Sequence, residues 1–359
     1  MKPLERARHR LLRIHLEELL IRRTSFIWAT AFWACVVFAP APGQIRTLGQ
    51  EEVSPPAFSS ALADLPLQQS GRAELESALK QRDYKQAEKL LVGEAERDPK
   101  SERAAKLLSV AGGIFFLDEE YLNSIIAWKK SDAITPLDDR NRFTLAMAYI
   151  KLNRRDWARP ELEKLASVHP KNALYQYWLS RLDYDARNYA AAIARLQTVI
   201  QLDPTMMRAY DTLGLCQDYL GHFEEAIKSY NTAVELNRSQ AKPSSWPHVD
   251  LAVSLVSVNR LPEAEKNLRE ALRYDAHLPQ AHYQLGRVLE MRGNLQNAVE
   301  ELKQAAELEP SYPEPHFLLG RIYHKLGNED LGRNEVATYE RLKKAAESAM
   351  QQTSAPLHK

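Results

Sequence analysis

Cysteine is scarce in this chain of 359 residues, and its scarcity excludes two kinds of scaffold. Only Cys35 and Cys216 are present. Two lone cysteines supply neither a disulfide framework nor a cysteine zinc site. Both classes are therefore excluded.

Net charge is also nearly absent, because the chain has 48 basic and 47 acidic residues. Several of the basic residues gather before Phe26, and the rest of the chain is slightly acidic. Proteins that bind nucleic acid normally carry a basic excess that neutralises phosphates. We therefore expect no nucleic-acid partner.

Catalytic motifs are missing as well. The sequence has no phosphate-binding loop, no Gly-x-Ser-x-Gly, no His-Glu-x-x-His and no dinucleotide fingerprint. Asp183 and Asp185 lie close in sequence, but residues two apart on a helix face different sides. We therefore predict no catalytic residue, no metal ligand and no cofactor, and we expect the chain not to be an enzyme.

What the chain does contain is a small residue at a regular spacing of 34 positions, with a single step of 38. The series comprises Gly112, Ala146, Ser180, Gly214, Ala252, Gly286 and Gly320. Twelve positions after each comes another small residue: Ser124, Ala158, Ala192, Ala226, Ala264, Ala298 and Gly332. Such a period indicates tandem repeats, each of which buries its second face only by stacking on a neighbour.

Each repeat is predicted to be a hairpin of two helices. Apolar residues follow a helical spacing over 280–291, Gly293 interrupts it, and the spacing resumes over 295–308 before Pro310. The same pattern defines eight units, at 68–101, 105–138, 139–172, 173–206, 207–240, 245–278, 279–312 and 313–346. The four extra residues 241–244 account for the longer step, and we interpret them as a loop insertion, with a hinge or a partner notch as alternatives.

These residues resemble the tetratricopeptide repeat. Unit five carries the family pattern in Tyr210, Leu213, Gly214, Gly221, Ala226, Tyr230 and Ala233, and unit seven in Leu285, Gly286, Gly293, Ala298, Leu302, Ala305 and Pro310. The resemblance covers residues 68–346 and implies an all-α fold, an α-solenoid of about eight tandem helix-turn-helix repeats wound as a right-handed superhelix. Residues 347–359 are predicted to be a C-terminal tail.

The resemblance also implies a concave groove, lined by the first helix of each unit, that accepts a peptide. Family groove positions carried over to this chain include Asp211 and Glu290 and a set of aromatic and arginine residues, which are favoured anchors of interfaces. That set comprises Arg140, Phe143, Tyr177, Arg181, Tyr184, Arg208, Tyr219, Trp246, Tyr283, Arg287, Phe317 and Arg321. We expect a protein or peptide partner with acidic and apolar residues. The alternative is that the aromatics only pad the helix seams while the arginines are solvated.

His248, His282 and His316 occupy the same position in three successive units. A metal site needs ligands about 2 Å from one ion, whereas equivalent residues of stacked helices lie about 10 Å apart. We therefore predict that these histidines pack and do not bind metal.

The N-terminal residues 1–43 are predicted to be a signal peptide or a membrane anchor. A basic stretch ends at Arg23, residues 26–39 carry no charge, and a small-residue cleavage site is available after Gly43. The uncharged run is shorter than the ~20 residues that span a bilayer upright. A cleaved signal, an uncleaved anchor, and an amphipathic or soluble segment all stay open. Residues 44–67, with Pro55, Pro56 and Pro66, are predicted to be a flexible linker.

Together these patterns predict an exported scaffold, periplasmic or secreted, that binds partner proteins and is connected to the membrane only through its N-terminal segment. A regulatory or substrate-presenting subunit of a separate enzyme is the alternative, and a self-assembling structural array is a third hypothesis.

Overall fold

The computed structural model describes residues 64–354, with side chains described to residue 348. Within this range the chain forms sixteen α-helices and no β-strand, so the predicted all-α repeat fold is confirmed. The first eight helices are α1 Gln69–Lys80, α2 Tyr84–Glu96, α3 Glu102–Leu117, α4 Tyr121–Asp132, α5 Asp139–Lys151, α6 Arg155–Val168, α7 Ala173–Asp185 and α8 Tyr189–Leu202. The remaining eight are α9 Met207–Tyr219, α10 Phe223–Arg238, α11 Trp246–Ser257, α12 Leu261–Tyr274, α13 Pro279–Met291, α14 Leu295–Leu308, α15 Pro313–Lys325 and α16 Glu329–Ser354.

The helices form eight hairpins, and one turn geometry joins the two helices of each. In unit seven the Gly293 N–H donates to the Glu290 carbonyl and the Asn294 N–H to the Leu289 carbonyl, each at 2.9 Å, which is the Schellman arrangement. The residue in the left-handed conformation occupies the same position in every unit: Arg82, Glu119, Asn153, Arg187, Gly221, Asn259, Gly293 and Gly327. The repeat therefore fixes backbone conformation as well as side-chain size.

Small residues on the first helix of a unit receive a large side chain from the second helix. A Cβ added to Gly112 would lie 2.7 Å from Nε1 of Trp128, and one added to Gly214 would lie 2.5 Å from Cε1 of Tyr230. Trp128 and Tyr230 are both almost fully buried. The recurring small residues therefore set the distance between the paired helices.

Neighbouring units stack in sequence order. Each second helix packs against the first helix of its own unit and the first helix of the next, as α10 packs against α9 and α11. Among the described helices, successive first helices such as α7 and α9 lie closer together than successive second helices. The first helices therefore line the inner face of the stack. One continuous core extends from Phe116 in unit two to Tyr323 in unit eight, and a second cluster fills unit one and its junction with unit two.

The four extra residues between units five and six lie in a loop after α10. The Asn237 side chain closes this loop, because its Nδ2 donates to the Ser244 carbonyl at 2.7 Å and its Oδ1 accepts from the Ser244 N–H at 2.8 Å. Asn237 is fully buried. The stacking of α10 on α11 is maintained across the loop.

The ends of the described range differ from the predicted unit boundaries. Leu65 is buried in the core of unit one, and its carbonyl accepts from Arg72 Nη2 at 2.9 Å, so packing begins before residue 68. At the other end, α16 continues to Ser354, because neither proline nor glycine occurs between residues 347 and 354 and Pro356 is the first such residue after them. The predicted signal or anchor 1–43, residues 44–63 of the predicted linker and residues 355–359 lie outside the described residues. Between residues 64 and 354, no helix is sufficiently long and apolar to cross a membrane.

Candidate functional site

All twelve predicted groove residues lie on first helices, from α5 to α15. Their exposure divides them into three groups. Phe143, Tyr177, Arg181 and Tyr184 are buried, whereas Arg208, Trp246, Tyr283 and Arg287 are half-buried. Arg140, Tyr219, Phe317 and Arg321 are exposed, with Tyr219 at 38% and Phe317 at 45%. We call the surface that these residues line the inner face.

Aromatic residues of the inner face pack against aromatic residues from neighbouring helices. Tyr219 stacks on Tyr189 of α8, with ring centroids 4.7 Å apart, and Tyr184 meets both rings edge-on at 5.8 Å. The ring pairs Phe143–Tyr175, Tyr283–Tyr312 and Phe317–Tyr339 are similarly close, at 5.2–5.6 Å. Sequence analysis did not identify these partners, because they lie at other positions of the repeat. The aromatics therefore contribute to packing even where they remain exposed.

The inner-face arginines differ in how they are paired. Arg321 forms an ion pair with Glu290, which Lys325 also contacts at 2.7 Å, so this predicted anchor already has a protein partner. Arg287 donates to the Gln284 side chain at 3.2 Å. Arg181 is only 9% exposed, and its guanidinium lies 5.2 Å from the ring centre of Tyr184. Among residues 64–354, no hydrogen bond or ion pair to this guanidinium is found.

Acidic side chains accompany Arg181 across units five and six. Asp211 on α9 and Asp250 on α11 are 7% and 5% exposed. Burial raises the pKa of Asp211 to about 7, against the opposing charges of Arg181 and Arg208. Burial and the neighbouring charges of Asp211 and Asp218 raise the pKa of Asp250 well above its ordinary value. Sequence analysis placed Asp211 on this face but missed Asp250, which occupies a position that the family pattern does not assign to the groove.

Asp218 belongs to the same region but is bonded to the protein. Its carboxylate accepts from Ser254 Oγ at 2.7 Å and from Tyr230 Oη at 2.9 Å. Burial raises its pKa to about 6. This carboxylate therefore joins units five and six and leaves Asp211 and Asp250 as the acidic groups without such partners.

The three equivalent histidines each bond to the second helix of their own unit. Nδ1 lies 2.9 Å from the Asn267 side chain in His248, 2.7 Å from Glu301 in His282 and 2.6 Å from Glu335 in His316. In the described part of the chain, the group of side chains spaced to hold a metal ion comprises Glu88, Asp118 and Glu120, and Lys85 forms ion pairs with all three. The histidines lie outside that group and join the helices of their hairpins.

Three stretches of the chain match known repeat families. Residues 143–206 and 207–239 match models described as tetratricopeptide repeat, and residues 291–327 match one described as TPR repeat. No curated protein sequence matches the chain. The matched stretches cover most of units three, four and five, and the second helix of unit seven together with the first helix of unit eight.

Solved structures with the same architecture share little sequence identity with this chain. A tetratricopeptide repeat protein from Parabacteroides merdae has a TM-score of 0.57 and 13% identity over 74% of this chain and 98% of its own. The APC/C hetero-tetramer Cut9-Hcn1 has a TM-score of 0.55 and 16% identity over 69% of this chain and 48% of that chain. The type IV pilus biogenesis factor PilW has a TM-score of 0.52 and 17% identity over 56% of this chain and 92% of its own. At these identities the likeness concerns the fold alone, and it agrees with the repeat matches: the chain is a tetratricopeptide repeat protein.

Proposed function

We propose that this protein is an interaction scaffold that binds a peptide segment of a partner protein along the inner face. The observation that carries the proposal is Arg181: its side chain is only 9% exposed, and its guanidinium has no hydrogen bond or ion pair among the described side chains. Carboxylates are the acceptors that pair most strongly with a guanidinium group. A carboxylate of a bound peptide would supply the missing acceptors.

Aromatic surface beside Arg181 supports an apolar contribution from the same peptide. Tyr219 is partly exposed next to Tyr184, and Tyr184 lies under the Arg181 guanidinium. Aromatic rings beside an arginine form the typical composition of energetically dominant interface regions. The proposed ligand is therefore an extended or helical segment that carries acidic and apolar residues.

Selection from a library of displayed 12-residue peptides on the immobilised full chain tests the proposal. We expect enrichment of peptides that share acidic and apolar residues. The variant Arg181→Gln should lose these peptides, whereas Arg269→Gln, on the exposed side of α12, should retain them. Equal enrichment by Arg181→Gln, or no enrichment by the natural chain, would contradict the proposal.

We further propose that the protein acts outside the cytoplasm, directed there by residues 26–39. The support is the uncharged run that follows a basic stretch ending at Arg23. Cell fractionation with N-terminal sequencing tests this. A new N-terminus at Gln44 would indicate a cleaved signal, and an intact N-terminus in the membrane fraction would indicate an anchor. An intact chain in the cytoplasm would overturn the proposal.

A further inference from the structure

Two carboxyl groups on the first helices of units five and six lie in an environment that a folded protein normally avoids. Asp211 and Asp250 are both more than nine-tenths buried. Oδ1 of Asp211 is buried without any hydrogen-bond donor, and among residues 64–354 no ion pair or hydrogen bond to the carboxylate of Asp250 is found. Buried carboxylates are normally satisfied by two or more donors. The described residues therefore leave acceptor oxygens of this pair unused.

Asp211 and Asp250 influence each other's ionisation. Burial and the negative charges of Asp211 and Asp218 raise the pKa of Asp250, and the positive charges of Arg181 and Arg208 oppose the rise in the pKa of Asp211. No ion pair joins either arginine to Asp211 or Asp250 among the described side chains. A positive charge placed beside the two carboxyl groups would favour the ionised forms that burial disfavours.

We propose that Asp211 and Asp250 together form a subsite that accepts a lysine or arginine side chain of the bound peptide. The inference rests on the proposed function, because the occupant belongs to the same peptide. An ammonium or guanidinium group supplies several N–H donors, which match the unused acceptor oxygens of two carboxylates. Tyr184 lies close enough to Asp250 for the two groups to interact electrostatically, and its ring can contact the aliphatic part of such a side chain.

The subsite changes the expected ligand. Arg181 favours an acidic residue, whereas Asp211 and Asp250 favour a basic residue one unit further along the stack. A peptide that carries both signs in this order would satisfy all three buried groups. A purely acidic and apolar peptide would leave the two carboxylates unpaired and would bind more weakly.

The experiment uses the full chain and the most enriched displayed peptide, labelled with fluorescein. Its affinity is measured by fluorescence polarisation, and each Lys or Arg of the peptide is then replaced by norleucine, which removes the charge and keeps the apolar stem. We expect one such replacement to weaken binding roughly tenfold or more. Because this change is made in the peptide, the protein remains fully folded in the comparison.

Variants of the protein locate the effect. In Asp211→Asn and Asp250→Asn, which preserve side-chain shape, the same norleucine replacement should change affinity less than twofold, because the charged acceptor is gone. Asp330→Asn, at an exposed position of α16, should keep the full tenfold difference. Such non-additivity arises from direct pairing and not from a general loss of structure.

Three outcomes would overturn the inference. Enriched peptides without Lys or Arg, or binding insensitive to every norleucine replacement, would refute the subsite and leave peptide binding intact. An undiminished norleucine effect in both Asn variants would place the basic residue elsewhere. If no peptide is enriched at all, the proposed function fails and the subsite fails with it.

Discussion

A Cβ atom placed on Gly286 would lie 2.6 Å from Cγ of Leu302 and 3.2 Å from the carbonyl oxygen of Ala298. Leu302 is fully buried at the centre of unit seven, so it cannot swing aside. Gly286→Ala should therefore force α13 and α14 apart and destabilise the protein by roughly 1–3 kcal/mol. The free energy of unfolding is measured by urea denaturation, with circular dichroism as the signal.

Gly93 in α2 provides the control, because a Cβ added there would meet no atom within 4 Å. Gly93→Ala should increase stability by up to about 1 kcal/mol, since alanine is the better helix former. Destabilisation by both substitutions would show that steric contact is not the cause.

Arg142 on α5 is buried between two acidic side chains, at 2.8 Å from Asp132 and 2.6 Å from Glu161. Burial alone would raise the pKa of Asp132. The hydrogen bond from the Leu137 backbone N–H and the pairing with Arg142 hold this pKa below its ordinary value. Arg142→Ala should destabilise the protein by about 3–5 kcal/mol, because two partly buried carboxylates lose their partner. Thermal unfolding would reveal the change.

The matched control for Arg142 is Arg273, which pairs with Glu270 at the surface. Arg273→Ala should have an effect close to the error of measurement. Adding Asp132→Asn and Glu161→Gln to Arg142→Ala should recover part of the lost stability. No recovery would mean that the loss comes from side-chain packing and not from unpaired charge.

His282 should make the stability of unit seven depend on pH. The hydrogen bond to Glu301, opposed by burial, raises the pKa of His282 above 6.5. A raised pKa in the folded state stabilises the protein below the unfolded pKa, and this contribution is lost as pH rises through the folded value. His282→Gln should therefore cost up to about 1 kcal/mol near pH 5 and much less near pH 8.

His248 provides a control of opposite sign in unit six. Burial lowers the pKa of His248, so its contribution is present above pH 6.5 and is lost as pH falls. His248→Gln should remove this loss, so the variant becomes more stable relative to the natural chain on acidification. Parallel pH profiles of the two variants would contradict both assignments.

Arg82 adopts the left-handed conformation, with φ of 59°, at the position where units five, seven and eight have glycine. Arg82→Gly should stabilise the turn between α1 and α2 by about 1 kcal/mol or less, because the Cβ strain is removed while backbone freedom in the unfolded chain increases. Asn259→Gly at the equivalent position should gain less, since asparagine tolerates this conformation. Melting temperatures of the two variants provide the comparison.

The repeat pattern predicts the architecture well because stacking enforces it locally. Gly286 and Ala298 predict the close helix pair, and Gly293 predicts the turn, because each residue must fit a fixed geometry within one unit. The predicted unit boundary at residue 105 does not mark the start of α3, which begins at Glu102. Ser101 caps that helix by accepting from the Ala104 N–H at 3.1 Å, a signal present in the sequence but outside the repeat register.

The sequence does not predict which charged side chains pair with one another on the inner face. Arg321 forms an ion pair with Glu290, from the preceding unit, whereas Arg181 has no ion pair among the described residues. Asp250 interacts electrostatically with Asp211 because two units stack across an inserted loop. A period of 34 residues shows which side chains share a face, but which charges meet depends on neighbours in separate units.

The two hydrogen bonds between the Asn237 side chain and the Ser244 backbone explain how this array tolerates an insertion. Extra residues normally leave backbone groups unsatisfied, but here one amide side chain satisfies both groups of the residue that re-enters the stack. The four extra residues at this corner therefore leave the stacking of α10 on α11 in place, so the insertion lengthens the chain without breaking the array.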